Sequence, residues 1–130
     1  MARAQALLSQ YRNVGNASRV NDASPHRLVA LLLEGAREKI RTAAAAIGCN
    51  ERGRKAKAIH GAYSILEHLR VTLDHRAGGE IASGLDAIYE YCNRRLVEAN
   101  AMDDVDRLNE ANTLLGEVQD AWARIGATVQ

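Results

Sequence analysis

From Leu28 onward the apolar positions recur three and four residues apart, the spacing that the 3.6-residue period of a helix requires. Leu28, Leu31, Leu32, Gly35, Ala36, Ile40, Ala43 and Ile47 form the first stripe. It opens at Ala23-Ser24-Pro25, where Ser24 suits the cap and Pro25 suits the first helical position, because its missing N–H would be unpaired there anyway. Gly48 and Asn50 offer a stop, so the predicted helix runs for about six turns. A second stripe rises from the basic stretch Arg52-Gly53-Arg54-Lys55-Ala56-Lys57. It continues through Ile59, Ala62, Tyr63, Leu66, Leu69 and Leu73 and is expected to end before Gly78-Gly79. The third carries Ile81, Leu85, Ile88, Tyr89, Cys92, Leu96 and Ala99 and closes near Asn100-Ala101. Asp103 or Asp104 can cap the fourth, whose seam is Val105, Leu108, Ala111, Leu115, Val118, Trp122 and Ile125, with Gly126 as the predicted stop.

No stretch alternates with period two, and a chain of 130 residues with one Pro and no Phe has room for one core. The predicted fold is therefore all-α. Four amphipathic helices of about 20 residues joined by short connections pack most simply as an antiparallel up-down-up-down four-helix bundle, here residues 23–126. Ahead of it, residues 1–22 form a different kind of segment. Leu7, Leu8, Tyr11 and Val14 sit at helical spacing in a polar stretch, enough for a short, marginal helix. This segment is expected to act as a mobile N-terminal leader or cap. The run Ala43 to Ala46 reads as a tight helix contact.

The composition narrows the function. The N-terminus has no apolar run of the length a signal peptide needs, and no apolar stretch reaches a membrane span, so a cytoplasmic protein without stable membrane insertion is expected. Cys49 and Cys92 are far apart and form no CxxC pair, which suggests reduced, structural thiols. His26, His60, His68 and His75 show neither HExxH nor paired Glu-x-x-His motifs. His68 and His75, seven apart, are expected on one helical face, but two ligands do not make a metal site. Gly78-Gly79-Glu80 lacks the following Lys-Ser or Lys-Thr of a phosphate loop and reads as a helix–helix turn. No GxSxG elbow occurs, so catalysis is not indicated.

The basic cluster at Arg52–Lys57 has no interleaved aromatic residues for base stacking, which argues against nucleic acid. The net charge of +1 covers an asymmetry: residues 1–60 hold 11 basic and 4 acidic groups, and residues 61–130 hold 6 and 12. Such polarity orients an encounter or organises antiparallel helices. Glu90 and Glu98 lie at helical distance to neutralise Arg94-Arg95.

One feature exceeds what a bundle needs. Leu28-Val29-Ala30-Leu31-Leu32-Leu33 is apolar around nearly the whole helix, whereas a bundle helix buries one broad stripe. Val29 and Leu33 fall off that stripe. They are expected to be covered by the leader or by another polypeptide, or to remain as an apolar patch. Ile65, Tyr91, Val97 and Leu114 also fall off the main stripes.

Several motifs together resemble the flagellar secretion chaperone family, FliS, over nearly the full length. They are Ser24-Pro25 followed by Leu28-Val29, then Leu32-Leu33-Glu34-Gly35-Ala36, and Leu69-Arg70-Val71-Thr72-Leu73-Asp74. Ile88-Tyr89-Glu90-Tyr91 leads into Arg94-Arg95-Leu96 and Ala99-Asn100, and Asp120-Ala121-Trp122 closes the pattern. Upstream, Tyr11 and Val14 fall where the family has a Tyr followed by an aliphatic residue. Leu33 stands in place of a usual aromatic residue, and Cys92 and Asn93 in place of more apolar ones.

The resemblance implies a non-catalytic bundle, without cofactor or metal, that binds the C-terminal segment of newly made flagellin in the cytoplasm. It would keep flagellin from polymerising and present it to a flagellar type III export gate component. Binding of this kind is helix-in-groove recognition coupled to folding of the partner. Leu7, Leu8, Tyr11, Val14, Val29 and Leu33 are the partner-binding residues expected. The alternative is a non-catalytic helical scaffold or homodimer, a homo-oligomer in which the surplus apolar face meets another copy. A metal enzyme of the four-helix type lacks its carboxylate–histidine set.

Overall fold

The computed structural model describes residues 24–129. Four helices account for nearly all of them: α1 Pro25–Gly48, α2 Arg52–Val71, α3 His75–Met102 and α4 Val105–Val129. α1 packs on α2, α2 on α3, α3 on α4, and α4 closes back on α1. With links of two or three residues, that ring is the antiparallel up-down bundle. The leader residues Leu7, Leu8, Tyr11 and Val14 lie outside the described residues.

The termini follow from local chemistry. Ser24 is extended (φ −66°, ψ 165°) and its hydroxyl accepts from the Arg27 amide at 3.2 Å, with Pro25 opening the helix. At the other end of α1, Cys49 N–H donates to the Ala45 carbonyl, and Asn50 takes the left-handed conformation (φ 57°) that turns the chain into α2. Asp103 likewise ends α3 at φ 52°, and Asp104 is the cap of α4, accepting from the amides of Asp106 and Arg107 at 3.0 and 3.3 Å. Lys55, 8% exposed, ties α2 to the same corner by donating to the Asn100 carbonyl at 2.9 Å and to Asp103 at 2.5 Å.

Several expectations about boundaries are corrected. α2 stops at Val71, so Leu73 lies in the link and not on the helix. Asp74 then caps α3, accepting from the amides of Arg76 and Ala77 at 3.1 and 3.0 Å, ahead of the glycines. The turn expected at Gly78-Gly79-Glu80 is present as a break at Gly79 (φ 50°, ψ −123°), but it joins the first turn of α3 to the rest of that helix and not α2 to α3. Gly126 does not end α4, which continues to Val129, because one helical glycine costs only about 1 kcal/mol. Finally, His68 and His75 sit on different helices and share no helical face.

The Gly79 conformation is one that a side chain adopts only under strain. Gly79→Ala is expected to lower the unfolding free energy by about 1–3 kcal/mol, read from a thermal or denaturant melt. A neighbouring Gly84→Ala, at a helical position with open space around it, is expected to leave the melt unchanged or slightly raised.

The core is built of Leu, Ile and Ala from all four helices, with Tyr89, Cys92, Leu96 and Leu108 among its fully buried side chains. Within the alanine run, Ala43 and Ala46 are fully buried. On the α1–α4 seam Arg37 donates to Asn112 at 2.8 Å and to Gln119 at 2.7 Å, its guanidinium lying across Gly116 where a Cβ would be 3.1 Å away.

The apolar run in α1 is explained by its two seams. Because α1 meets both α2 and α4, Leu31, Leu32 and Leu33 are all buried, at 8, 3 and 0% exposure. The expectation that Leu33 needs a cover from outside the bundle is thus corrected: it is sealed within the bundle itself. Ile65 is buried in the same way at 3%. Val29, one turn earlier, is only partly buried.

Candidate functional site

At the end of the bundle where α1 begins and α2 ends, the helices leave an open apolar groove. Its deeper part is a cleft of about 370 Å³ walled by Val29 of α1, Leu69 of α2, Leu73 of the link, Leu85 and Tyr89 of α3, and Trp122 of α4. A second cleft of about 240 Å³ adjoins it between α3 and α4, adding Ile81, Ile88, Leu114 and Val118 and sharing Leu85, Trp122 and Ile125. Ile81 is 64% exposed and Ile125 38%, so the apolar surface reaches the outer rim. Asp74 and Glu117 are the acidic residues among those lining it.

The groove is held open by two devices. Gly79 redirects the chain between Leu73 and Ile81, which stand on either side of the kinked first turn of α3. Across the mouth, His26 stacks on Trp122 with ring centroids 4.7 Å apart and planes 6° from parallel. The Trp122 indole N–H donates to the His26 carbonyl at 2.9 Å, and His26 Nε2 lies 2.8 Å from the Trp122 carbonyl, an arrangement that places the ring proton on Nε2. This reciprocal pair fastens the first turn of α1 to α4 and leaves the indole ring as part of the groove wall.

The rest of the described surface is more mixed and includes a separate cleft of about 240 Å³ between α2 and α3, lined by Ala56, Ile59, His60, Tyr63, Val97 and Asn100. The α2–α3 seam has a cleft of about 260 Å³, but its charges are matched within the protein: Arg70 with Glu67 and Asp86 at 3.1 and 3.0 Å, and Arg94 with Glu90 at 2.9 Å. Asn93, 3% exposed, donates to Glu67 there at 3.1 Å, while its Oδ1 has no partner among the described residues. Tyr91 donates to Glu110 at 2.6 Å and lies beneath the guanidinium groups of Arg94 and Arg95. Burial pushes the Cys92 thiol up to about 12, with the Glu110 charge adding to it, so it stays protonated and is a poor nucleophile. Among the described residues no three His, Cys, Asp or Glu side chains come within reach of one metal ion, and no helix is long and apolar enough to cross a membrane.

Of the six residues expected at a binding surface, Val29 lies in the groove and Leu33 is behind it in the core. Leu7, Leu8, Tyr11 and Val14 fall outside the described residues. The pattern missed Leu73, Leu85, Tyr89 and Trp122 as groove residues, because all four sit on stripes that elsewhere are simply core. The signal that could have found them is the aromatic Trp122 at the far end of the fourth stripe, level with Leu85 and the Ser24-Pro25 start.

The fold and the groove define a small four-helix bundle with an open apolar groove at one end, and among the described residues no three His, Cys, Asp or Glu side chains form a metal-binding cluster. A family model described as flagellar protein FliS matches residues 7–129. A flagellar secretion chaperone FliSB of Pseudomonas aeruginosa is 40% identical over 119 residues, covering 92% of this chain and 94% of its own. The flagellar secretion chaperones FliS of Salmonella typhimurium and Bacillus subtilis are 34% and 35% identical, covering 91% and 79% of this chain and 88% and 76% of their own. The chain belongs to the FliS family of flagellar secretion chaperones.

Proposed function

We propose that this protein binds the C-terminal segment of flagellin in the cytoplasm, holds it against the apolar groove, and so keeps flagellin monomeric until it reaches a flagellar type III export gate component. The observation that carries the reading is the groove itself, an apolar surface on a member of a secretion-chaperone family, fit for a helix or extended segment whose own apolar face would otherwise seek copies of itself. The chemistry is binding without turnover: the exposed apolar area supplies the free energy, and part of it is spent ordering a disordered partner.

The leader belongs to the same proposal. The chain joins the bundle at Ser24-Pro25, on the lip of the groove beside Val29. Leu7, Leu8, Tyr11 and Val14 would rest there when flagellin is absent and give way when it arrives. Covering about 250 Å² of apolar surface contributes roughly 6 kcal/mol, and ordering several residues at about 1–2 kcal/mol each removes most of it, so such a cover is exchangeable. Deleting residues 1–22 is expected to raise the on-rate for flagellin.

The test is flagellin polymerisation followed by light scattering. Equimolar protein is expected to suppress seeded growth, and growth at the unassisted rate would reject the chaperone reading. Because the groove lining is mostly apolar, affinity should respond weakly to salt. Between 50 and 200 mM salt the Kd is expected to change by no more than a few-fold, against the roughly 10³–10⁵ lost by a binder making 6–10 phosphate contacts.

A further inference from the structure

We propose that His26 is a positioning residue for partner binding: its ring holds the Trp122 indole in place as a preformed wall of the groove, so that a docking flagellin segment meets that wall already ordered; this rests on the flagellin reading above. Trp122 borders both clefts, beside Leu85 and Ile125, so the placement of its ring shapes both. Three contacts join the same two residues: the stacked rings, the indole N–H on the His26 carbonyl at 2.9 Å, and His26 Nε2 at 2.8 Å from the Trp122 carbonyl. Both side chains are half-buried. A tryptophan on such a surface has several staggered χ1 wells and a broad χ2 open to it, and the stack together with the N–H bond selects one arrangement.

The α1–α4 seam is held without this pair. Ser24 caps α1 and Pro25 opens it. Further along, Arg37 donates to Asn112 and Gln119, and Gln119 donates to Glu34 at 2.8 Å, above a core in which Leu33, Leu108 and Leu115 are fully buried. Thr72 and Asp74, which also line the deeper cleft, serve their own helix ends: the Thr72 hydroxyl donates to the His68 carbonyl at 2.9 Å, and Asp74 accepts from the amides of Arg76 and Ala77. His26 instead reaches across to another helix and covers one face of the indole. What it supplies is order at the groove mouth. Immobilising a mobile side chain at the moment of binding costs about two- to tenfold in affinity, and a wall fixed beforehand avoids that loss.

The chain has a single tryptophan, so the fluorescence anisotropy decay of the free protein reads the motion of Trp122 directly. The experiment compares the full-length wild type, His26→Ala and His26→Phe by that decay, by thermal melts, and by titration calorimetry with the isolated C-terminal segment of flagellin. His26→Ala is expected to stay folded, to free the indole for fast local motion, and to weaken binding roughly two- to tenfold. His26→Phe keeps a ring to stack on the indole and is expected to restore both. An indole that stays immobile in His26→Ala, an affinity that does not follow indole mobility across the three proteins, or a His26→Ala chain that no longer folds would each overturn the inference. Val29→Asn is run in parallel: if it weakens binding and His26→Ala does not, this inference fails and the flagellin reading stands. If the wild type does not bind the segment at all, both fail.

Discussion

Leu33→Ala is expected to lower the unfolding free energy by about 2–5 kcal/mol, the range for removing a fully buried leucine side chain where neighbours cannot collapse into the space. Leu33 is sealed at 0% exposure between the two seams of α1, with Leu32 and Ala36 beside it in the same buried cluster. Val29, four residues earlier on the same helix, lies in the groove wall and is partly exposed, so Val29→Asn should shift the melting midpoint far less. Denaturant melts of the two variants decide the matter. Equal destabilisation would mean that the two positions share one environment, contrary to the placement of Leu33 inside the bundle and Val29 at its mouth.

The largest effect on binding is expected from the groove wall. Val29→Asn combined with Leu85→Asn should weaken binding of the flagellin segment by roughly tenfold or more, since each anchor in the centre of an apolar groove is worth about 1–2 kcal/mol. Both side chains line the deeper cleft, and Leu85 also borders the second, so the two substitutions touch one continuous surface and their effects need not add. Leu85 is only partly buried, which leaves the bundle able to fold with Asn there. Calorimetry with circular dichroism on the same samples separates lost binding from lost structure. Undiminished affinity in a folded double variant would remove the groove from the binding site.

How much of this is legible in the sequence depends on the distance over which each feature is determined. Local features are legible. Ser24-Pro25 starts α1 because capping and the missing amide are decided within a few residues, and Asp104 caps α4 for the same reason. The four stripes imply the bundle, since with short links four amphipathic helices have few other ways to bury themselves. Gly78-Gly79 marks a real break in helical geometry at Gly79, but glycine does not say which helical segments the break separates. Asp74 decides it by capping α3 upstream of both glycines, so that the break falls inside a helix already begun.

The groove is half legible. An apolar surplus at Val29 points to the correct end of α1, but periodicity does not tell which of Val29 and Leu33 is sealed by a second neighbouring helix. That depends on α4 closing back on α1, a contact between residues 96 apart in the case of His26 and Trp122. Leu85 and Trp122 read as ordinary core because a stripe has the same pattern whether the end of the bundle is closed or open.

The most direct test of the central claim is calorimetric titration of this protein with full-length monomeric flagellin and with flagellin lacking its C-terminal segment. The account predicts a saturable 1:1 complex with the full-length protein, a negative heat-capacity change from apolar burial, and no measurable binding after truncation. Equal affinity for both forms, or none for either, would contradict it.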